Sequence, residues 1–206
     1  MDSKEYLEQI SAGVGPGKSA KKGGFFSSTI FKVILGGVVL FALIIGVGAA
    51  LGGSKGPDTK DQALELNLYI ESTMGAISNY QTKLKSSILR SHSASLNSVL
   101  SNTTRDVSSY LETAYGKSKA KATKAMKEAE KLHADGLDAD LFQAKINGIL
   151  DRIYAHKMAY EISIIMSKET GLRERINDSG FKGALDSSYS SLTNLYEQFN
   201  TFSETK

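Results

Sequence analysis

The sequence contains no cysteine and no tryptophan, and its two prolines, Pro16 and Pro57, both precede residue 60. The absence of cysteine excludes disulfides, thiolate metal sites and cysteine nucleophiles. Proline is the residue that most strongly interrupts helices, so the chain beyond Pro57 is free to form long ones. Most of the 19 glycines lie in the first 56 residues, so the composition changes near that point.

The charges of the chain are nearly balanced, with 25 Lys and Arg against 22 Asp and Glu in 206 residues. Nucleic-acid-binding proteins usually carry a strong basic excess. We therefore expect no nucleic-acid partner. The length is enough for one domain of ordinary size with additional segments.

One long apolar run stands near the N-terminus. Residues 30–51 read IFKVILGGVVLFALIIGVGAAL and carry no charge after Lys32. A helix of this length spans about 30 Å, the thickness of the hydrocarbon core of a bilayer. We therefore predict a transmembrane helix at 29–52, preceded by a cytoplasmic tail at 1–28.

The basic residues near this run predict its orientation in the cell membrane. They concentrate on the N-terminal side, which places the N-terminus in the cytoplasm and the larger C-terminal part outside. The residues that determine this topology are Lys18, Lys21, Lys22 and Lys32.

Two alternatives concern the same segment. A signal peptide cut before Leu51, after the small residues Gly48 and Ala50, is disfavoured by the length of the run and by its acidic leader. The small residues Ala42, Gly46 and Ala50 recur every four positions and form a candidate face for helix dimerisation, although such residues are common in membrane helices. The expected partners are therefore membrane lipid and either another protein or a second copy of this chain.

Two short motifs resemble catalytic or nucleotide-binding loops. AGVGPGKS at 12–19 fits a loose phosphate-loop pattern, and GGSKG at 52–56 fits the nucleophile elbow of hydrolases. Both motifs function only between a strand and a helix. Because both flank the predicted membrane helix, we interpret them as linkers and predict no nucleotide, no cofactor and no catalytic site.

After a linker at 53–58, residues 59–206 show helical periodicity almost throughout. This pattern predicts an all-α fold, in which the transmembrane helix is followed by an extracytoplasmic, antiparallel bundle of about four helices. Whether the bundle has three or four helices stays open. The first predicted helix covers residues 58–90 and is followed by a break at 91–95. The second runs from that break to Asp135, and 102–104 could interrupt it. The third covers residues 138–171, and the last begins at Ser179.

The third predicted helix is the most apolar and is expected at the centre of the bundle. Its core stripe is predicted to comprise Ile146, Ile149, Ile153 and Tyr160, broadened by Leu150, Met158, Ile162, Ile165 and Met166. His156 falls in the gap of this stripe, so we expect a buried histidine that is hydrogen-bonded to a neighbour.

Two further groups of polar residues are candidate sites. Glu130 and His133 form a single Glu-x-x-His unit, whereas di-iron bundles need two, so no metal site is predicted. Lysines crowd the second predicted helix without aromatic neighbours, which favours a solvated face with helical ion pairs over a polyanion-contact patch. The residues of this lysine patch are Lys117, Lys119, Lys121, Lys124, Lys127 and Lys131.

In outline the chain resembles the membrane-tethered helical sensor domains of chemoreceptors, but only one span is predicted. The sequence therefore favours a single-pass, non-enzymatic protein that binds a partner or organises an envelope complex. The alternative is an extracytoplasmic sensing module coupled to a separate membrane partner. An enzyme based on the two loop motifs is the third hypothesis.

Overall fold

A computed structural model describes residues 58–117 and 120–202, and these residues form an all-α bundle without strands. The all-α prediction is therefore confirmed for this part of the chain, although the described residues form five helices rather than about four. The helices are α1 (Thr59–Tyr80), α2 (Ser87–Tyr115), α3 (Lys124–Ile146), α4 (Leu150–Arg173) and α5 (Ser179–Asn200). A short 3-10 turn, Gln81–Lys83, follows α1.

Several predictions fall on residues outside these two ranges. They are the tail at 1–28, the transmembrane helix at 29–52 with its candidate dimer face and flanking lysines, the two loop motifs, and Lys119. Across residues 58–117 and 120–202, no helix combines the length and the apolar character needed to cross a bilayer.

Four helices form a closed ring, and the fifth packs on its outside. Going around the ring, α1 packs on α2, α2 on α5, α5 on α4, and α4 on α1, while α3 lies against α1 and α4. Neighbouring helices of the ring run in opposite directions. On α2 and α5, for example, Thr103 contacts Ser188 whereas His92 contacts Phe199.

The helix α4 packs against α1, α3 and α5, and α1 likewise packs against three helices. The position predicted to be central is therefore shared by two helices. The main predicted stripe was wrong, since Ile146 and Tyr160 are 62% and 41% exposed and His156 is exposed rather than buried. Four of the residues predicted to broaden it are buried, and the buried stripe comprises Leu150, Tyr154, Met158, Ile162, Ile165, Glu169 and Leu172.

The first helix ends ten residues earlier than predicted because the chain turns after Tyr80. Leu84 continues the apolar stripe and is buried, but its backbone is extended. Asp151, from α4, accepts hydrogen bonds from the backbone N–H groups of Lys85 at 3.0 Å and Ser86 at 2.6 Å. The turn is therefore stabilised by a residue that is distant in sequence.

The predicted break at 91–95 is absent, and α2 runs continuously through it. Ser93 is buried in α2, where it donates to the carbonyl of Leu89 and contacts the hydroxyl of Tyr154 at 2.9 Å. The interruption considered at 102–104 is also absent, because Thr103 donates to the carbonyl of Val99 within the helix. Hydroxyl groups that cap helices in other contexts here bond to the preceding turn.

The second predicted helix is in fact two helices. The helix α2 ends at Gly116, whose φ of 81° favours glycine. The helix α3 begins after Thr123, whose side chain caps it by accepting a hydrogen bond from the backbone N–H of Met126. The predicted end at Asp135 is wrong, since α3 continues through Gly136 and ends at Asn147. Gly148, with φ of 72°, makes that turn.

The last helix begins at Ser179 as predicted. Asp178 caps it by accepting from the backbone N–H of Phe181 at 2.7 Å. The core face of this helix comprises six buried residues: Phe181, Leu185, Ser188, Leu192, Leu195 and Phe199.

The clamp made by Asp151 gives a direct test of the α1–α2 turn. Asp151→Ala removes the acceptor of two backbone N–H groups, and we expect the free energy of unfolding to fall by about 2 kcal/mol. Urea unfolding of the full chain in detergent measures this change. The control is Asp135→Ala, an exposed acid paired with Lys131, which should change stability by no more than about 0.5 kcal/mol. Equal effects of the two variants would contradict the assignment.

Candidate functional site

Three helices meet at a cluster of polar side chains, which we call the histidine cluster. It comprises Tyr69 and Ser72 from α1, Glu130 and His133 from α3, and Glu161 from α4. Glu161 is 3% exposed, and the side chains of His133 and Glu130 are 19% and 17% exposed. The cluster therefore lies beneath the contact of α3 with the ring.

His133 is held between two carboxylates. Its Nδ1 lies 2.8 Å from Glu130 Oε1, and its Nε2 lies 3.0 Å from Glu161 Oε2. A ring that donates from both nitrogens is a protonated imidazolium. Burial alone would lower the pKa of His133, but the hydrogen bonds and charges of Glu130 and Glu161 outweigh it and raise the pKa to about 9.

The two residues of α1 complete the cluster. The hydroxyl of Tyr69 donates to Glu161 at 2.5 Å, and its ring stacks on His133 with a centroid distance of 4.4 Å. Burial, together with the charge of Glu161, raises the pKa of Tyr69, so the phenol stays protonated. Ser72 donates to Glu130 and lies 3.3 Å from His133 Nδ1.

The residue types that meet here, Ser72, His133 and Glu161, match those of a hydrolytic triad. A triad histidine must accept a proton from the serine, so it must be neutral at the working pH. Here Glu130 occupies the nitrogen that faces Ser72, and the raised pKa keeps His133 charged. The geometry therefore favours a structural latch between helices over a catalytic base.

The latch has a clear structural role, because the first half of α3 has little else to attach it. The buried residues of α3 are Leu137, Leu141 and Ala144, all in its second half. Residues 124–136 contain none. In this half, the histidine cluster supplies the side-chain hydrogen bonds from α3 to α1 and α4.

The sequence singled out Glu130 and His133 but not their partner Glu161, which is 28 residues further along the chain. Glu161 adjoins Ile162 of the core stripe. An acid next to a buried position of a helix was the signal in the sequence that could have indicated a buried carboxylate. Within the described ranges, no group of three or more His, Asp or Glu side chains is arranged to hold a metal ion.

A second buried acid, Glu169, lies on the core stripe of α4 between Ile165 and Leu172. It is 1% exposed and accepts a hydrogen bond from Ser188 at 2.6 Å. Burial raises the pKa of Glu169 to about 7, although the Ser188 hydroxyl opposes the shift. Glu169 lies four residues after Ile165 and three before Leu172. This helical spacing was visible in the sequence and could have predicted that Glu169 is buried.

A cleft of about 580 Å³ opens at the end of the bundle where α1 begins. It lies between the last turns of α2 and the α4–α5 link. The rings of Tyr110 and Phe181 stack along it with a centroid distance of 4.3 Å. Asp106, Arg175 and Asp178 add charged groups to the lining.

The predicted lysine patch does not lie on a single helix. Lys117 and Lys121 belong to the link after α2, whereas Lys124, Lys127 and Lys131 belong to α3. Three of these lysines have nearby acids, since the distances are 3.6 Å for Lys117–Glu112, 3.6 Å for Lys124–Glu128 and 2.5 Å for Lys131–Asp135. These ion pairs reduce the positive potential that the sequence suggested.

The outer face of α3 exposes three large apolar side chains. Leu132, Phe142 and Ile146 are 75%, 49% and 62% exposed. At 3.6 residues per turn they lie within an arc of about 80°, roughly opposite the buried face of the helix. We call these three residues the α3 outer face.

No protein-family model, no curated protein and no solved structure matches the chain. The interpretation therefore rests on the residues and their geometry.

The histidine cluster makes the stability of the domain depend on pH. The pKa of His133 is about 9 in the folded chain and 6.5 as a free group. Its contribution to stability is therefore fully present below about pH 6.5 and is lost as the pH rises through about 9, with an upper limit of about 3 kcal/mol.

Urea unfolding of the wild type and of His133→Gln at about pH 6 and about pH 9.5 tests this dependence. The variant should lose much less stability between the two values than the wild type does. His156→Gln changes an exposed histidine and should behave like the wild type. The same loss in His133→Gln and the wild type would rule out the latch.

Proposed function

We propose that this chain is a single-pass, membrane-anchored, non-enzymatic protein whose helical domain binds a partner protein at the cell surface. The support for the anchor is the apolar run at 29–52, and the lysines before it support a cytoplasmic N-terminus. The observation that carries the binding role is the α3 outer face, on which Phe142 and Ile146 are exposed one turn apart. Contiguous exposed apolar surface marks sites of protein interaction.

The proposed occupant of the α3 outer face is an amphipathic helix of another protein. Helices that dock in this way place apolar side chains at intervals of three, four and seven residues. Lys127 and Lys145 lie along one edge of this face, whereas Lys124 and Lys131 are paired with Glu128 and Asp135. This charge favours a partner helix with acidic residues along one edge.

A different proposal for the same chain is a sensing module, and the cleft at the end of the bundle favours it. Its aromatic wall and three charged groups are of the kind that binds small molecules. A ligand would raise the thermal unfolding temperature of the domain in proportion to its saturation. Dimerisation through Ala42, Gly46 and Ala50 would then provide a route for coupling to the membrane helix.

The topology is testable because the chain has no native cysteine to interfere with labelling. Ser3→Cys and Glu174→Cys place single thiols in the predicted tail and on the bundle. With a membrane-impermeant maleimide on intact cells, we expect labelling of Glu174→Cys alone, and of Ser3→Cys only after permeabilisation. The opposite pattern, or a full chain that remains soluble without detergent, would refute the anchor.

The binding face is testable by photo-crosslinking from position 142 in cells. We expect one adduct to a different protein, mapped by mass spectrometry to an amphipathic, acid-flanked segment. Leu132→Ser with Ile146→Ser should abolish the adduct without lowering stability, because both side chains are exposed. Ile88→Ser with Tyr189→Ser removes exposed apolar groups elsewhere and should leave it intact.

Charge reversal sharpens this test. Lys127→Glu on the basic edge should reduce the yield of the adduct, whereas Arg152→Glu on α4, also exposed, should not. An adduct to a second copy of this chain or to lipid would overturn the proposed partner.

A further inference from the structure

Glu169 is buried without a full set of hydrogen-bond partners. Its Oε1 lies 2.6 Å from the hydroxyl of Ser188. Its Oε2 is buried and has no hydrogen-bond partner among the described residues. An ionised carboxylate in such a place is costly, whereas a neutral acid costs much less.

The hydroxyl of Ser188 is part of a longer chain of contacts. Ser188 Oγ lies 2.7 Å from Thr103 Oγ1, and Thr103 Oγ1 lies 3.0 Å from the carbonyl oxygen of Val99. These contacts therefore connect Glu169 on α4, through Ser188 on α5, to Thr103 and Val99 on α2. We call this series of contacts the hydroxyl chain.

The number of hydrogens decides how many of these contacts are hydrogen bonds. Each hydroxyl carries one hydrogen, so an ionised Glu169 leaves two hydrogens for three contacts. Ser188 then donates to Glu169, and Thr103 donates either to Ser188 or to Val99. A protonated Glu169 supplies the third hydrogen, and all three contacts become hydrogen bonds that point away from the acid.

Three pairs of charged residues lie on the helices around this site. Lys168 on α4 lies 3.8 Å from Glu65 on α1, and Arg173 bonds to Asp186 on α5. On α2, Arg105 and Asp106 lie 3.6 Å apart.

None of these charges contributes to the raised pKa of Glu169, which results from burial against the opposing Ser188 hydrogen bond. The acid therefore depends on a proton, rather than on a nearby cation, for compensation.

We propose that Glu169 is a proton-binding switch inside the bundle: protonation completes the hydroxyl chain, whereas release of the proton to bulk water removes either the Ser188–Thr103 or the Thr103–Val99 hydrogen bond and leaves a charge buried between α4 and α5. This inference concerns the folded domain and does not depend on the membrane anchor or on the α3 outer face.

The sign of the effect follows from the pKa of Glu169, which is about 7 in the folded chain and 4.5 as a free group. The folded chain binds more protons between these values. Its stability from this group is therefore fully present below about pH 4.5 and is lost as the pH rises through about 7.

The experiment uses the full chain in detergent and records infrared spectra and thermal unfolding across this pH range. The wild type should show the carbonyl stretch of a protonated carboxyl that disappears with a midpoint near pH 7, and its Tm should fall by several degrees between about pH 4.5 and about pH 7. Glu169→Gln mimics the protonated acid and should lack both changes. Glu174→Gln alters an exposed acid of the same region and should retain both.

Two further variants test the hydroxyl chain itself and still report if Glu169→Gln folds poorly. Thr103→Val removes the acceptor that Ser188 needs when the acid is protonated, so the midpoint should move to lower pH. Ser188→Ala removes the hydroxyl that opposes the raised pKa, so the midpoint should move to higher pH.

Three results would overturn the proposal. The first is the absence of a protonated carboxyl band above about pH 5.5 in the wild type. The second is a Glu169→Gln variant whose Tm depends on pH as strongly as that of the wild type. The third is a midpoint that Thr103→Val leaves unchanged, which would indicate burial without the hydroxyl chain.

Discussion

A carboxyl group inside a protein must be hydrogen-bonded, paired with a cation or protonated, and one helix of this bundle, α4, buries three of them. Asp151, Glu161 and Glu169 are 7%, 3% and 1% exposed. All three lie on α4, which packs against α1, α3 and α5. The way in which each acid is compensated determines which neighbouring elements the helix can hold.

The three solutions differ. Asp151 accepts two backbone N–H groups and so stabilises the turn that ends α1 and starts α2. Glu161 accepts from Tyr69 and from a charged His133, which ties α3 to the ring. Glu169 has only a hydroxyl partner, and this acid therefore has a pKa near neutrality. One helix thus combines a structural clamp, an ionic latch and a titrating group.

Local signals in the sequence predicted some elements well. The last helix begins at Ser179 because Asp178 can cap it and because its apolar spacing is regular. Such signals depend on residues that are close together in the chain. They also identified the all-helical character of residues beyond Pro57, since proline is absent there and the periodicity is helical.

The errors have a common physical cause, which is that distant residues decided the outcome. Leu84 continues the stripe of α1 and is buried as expected, yet the chain turns there because Asp151 holds it. Gly136 and Gly148 look equally able to end a helix, but only Gly148 adopts a positive φ. Ser93 lies in the break predicted at 91–95, but Tyr154 of another helix provides a partner that keeps it in the core.

The attachment of α3 shows why stability and binding can be separated in this domain. Its inner face uses hydrogen bonds and ionic contacts in the first half and only three buried apolar residues in the second. The largest apolar side chains of α3, apart from Leu137 and Leu141, are directed away from the ring and contribute little to folding. Substitutions on the outer face therefore leave the core unchanged, whereas loss of the charge on His133 weakens the helix that presents that face. A partner bound to α3 would stabilise the latched arrangement by mass action. Binding of the partner and protonation of His133 would then be linked.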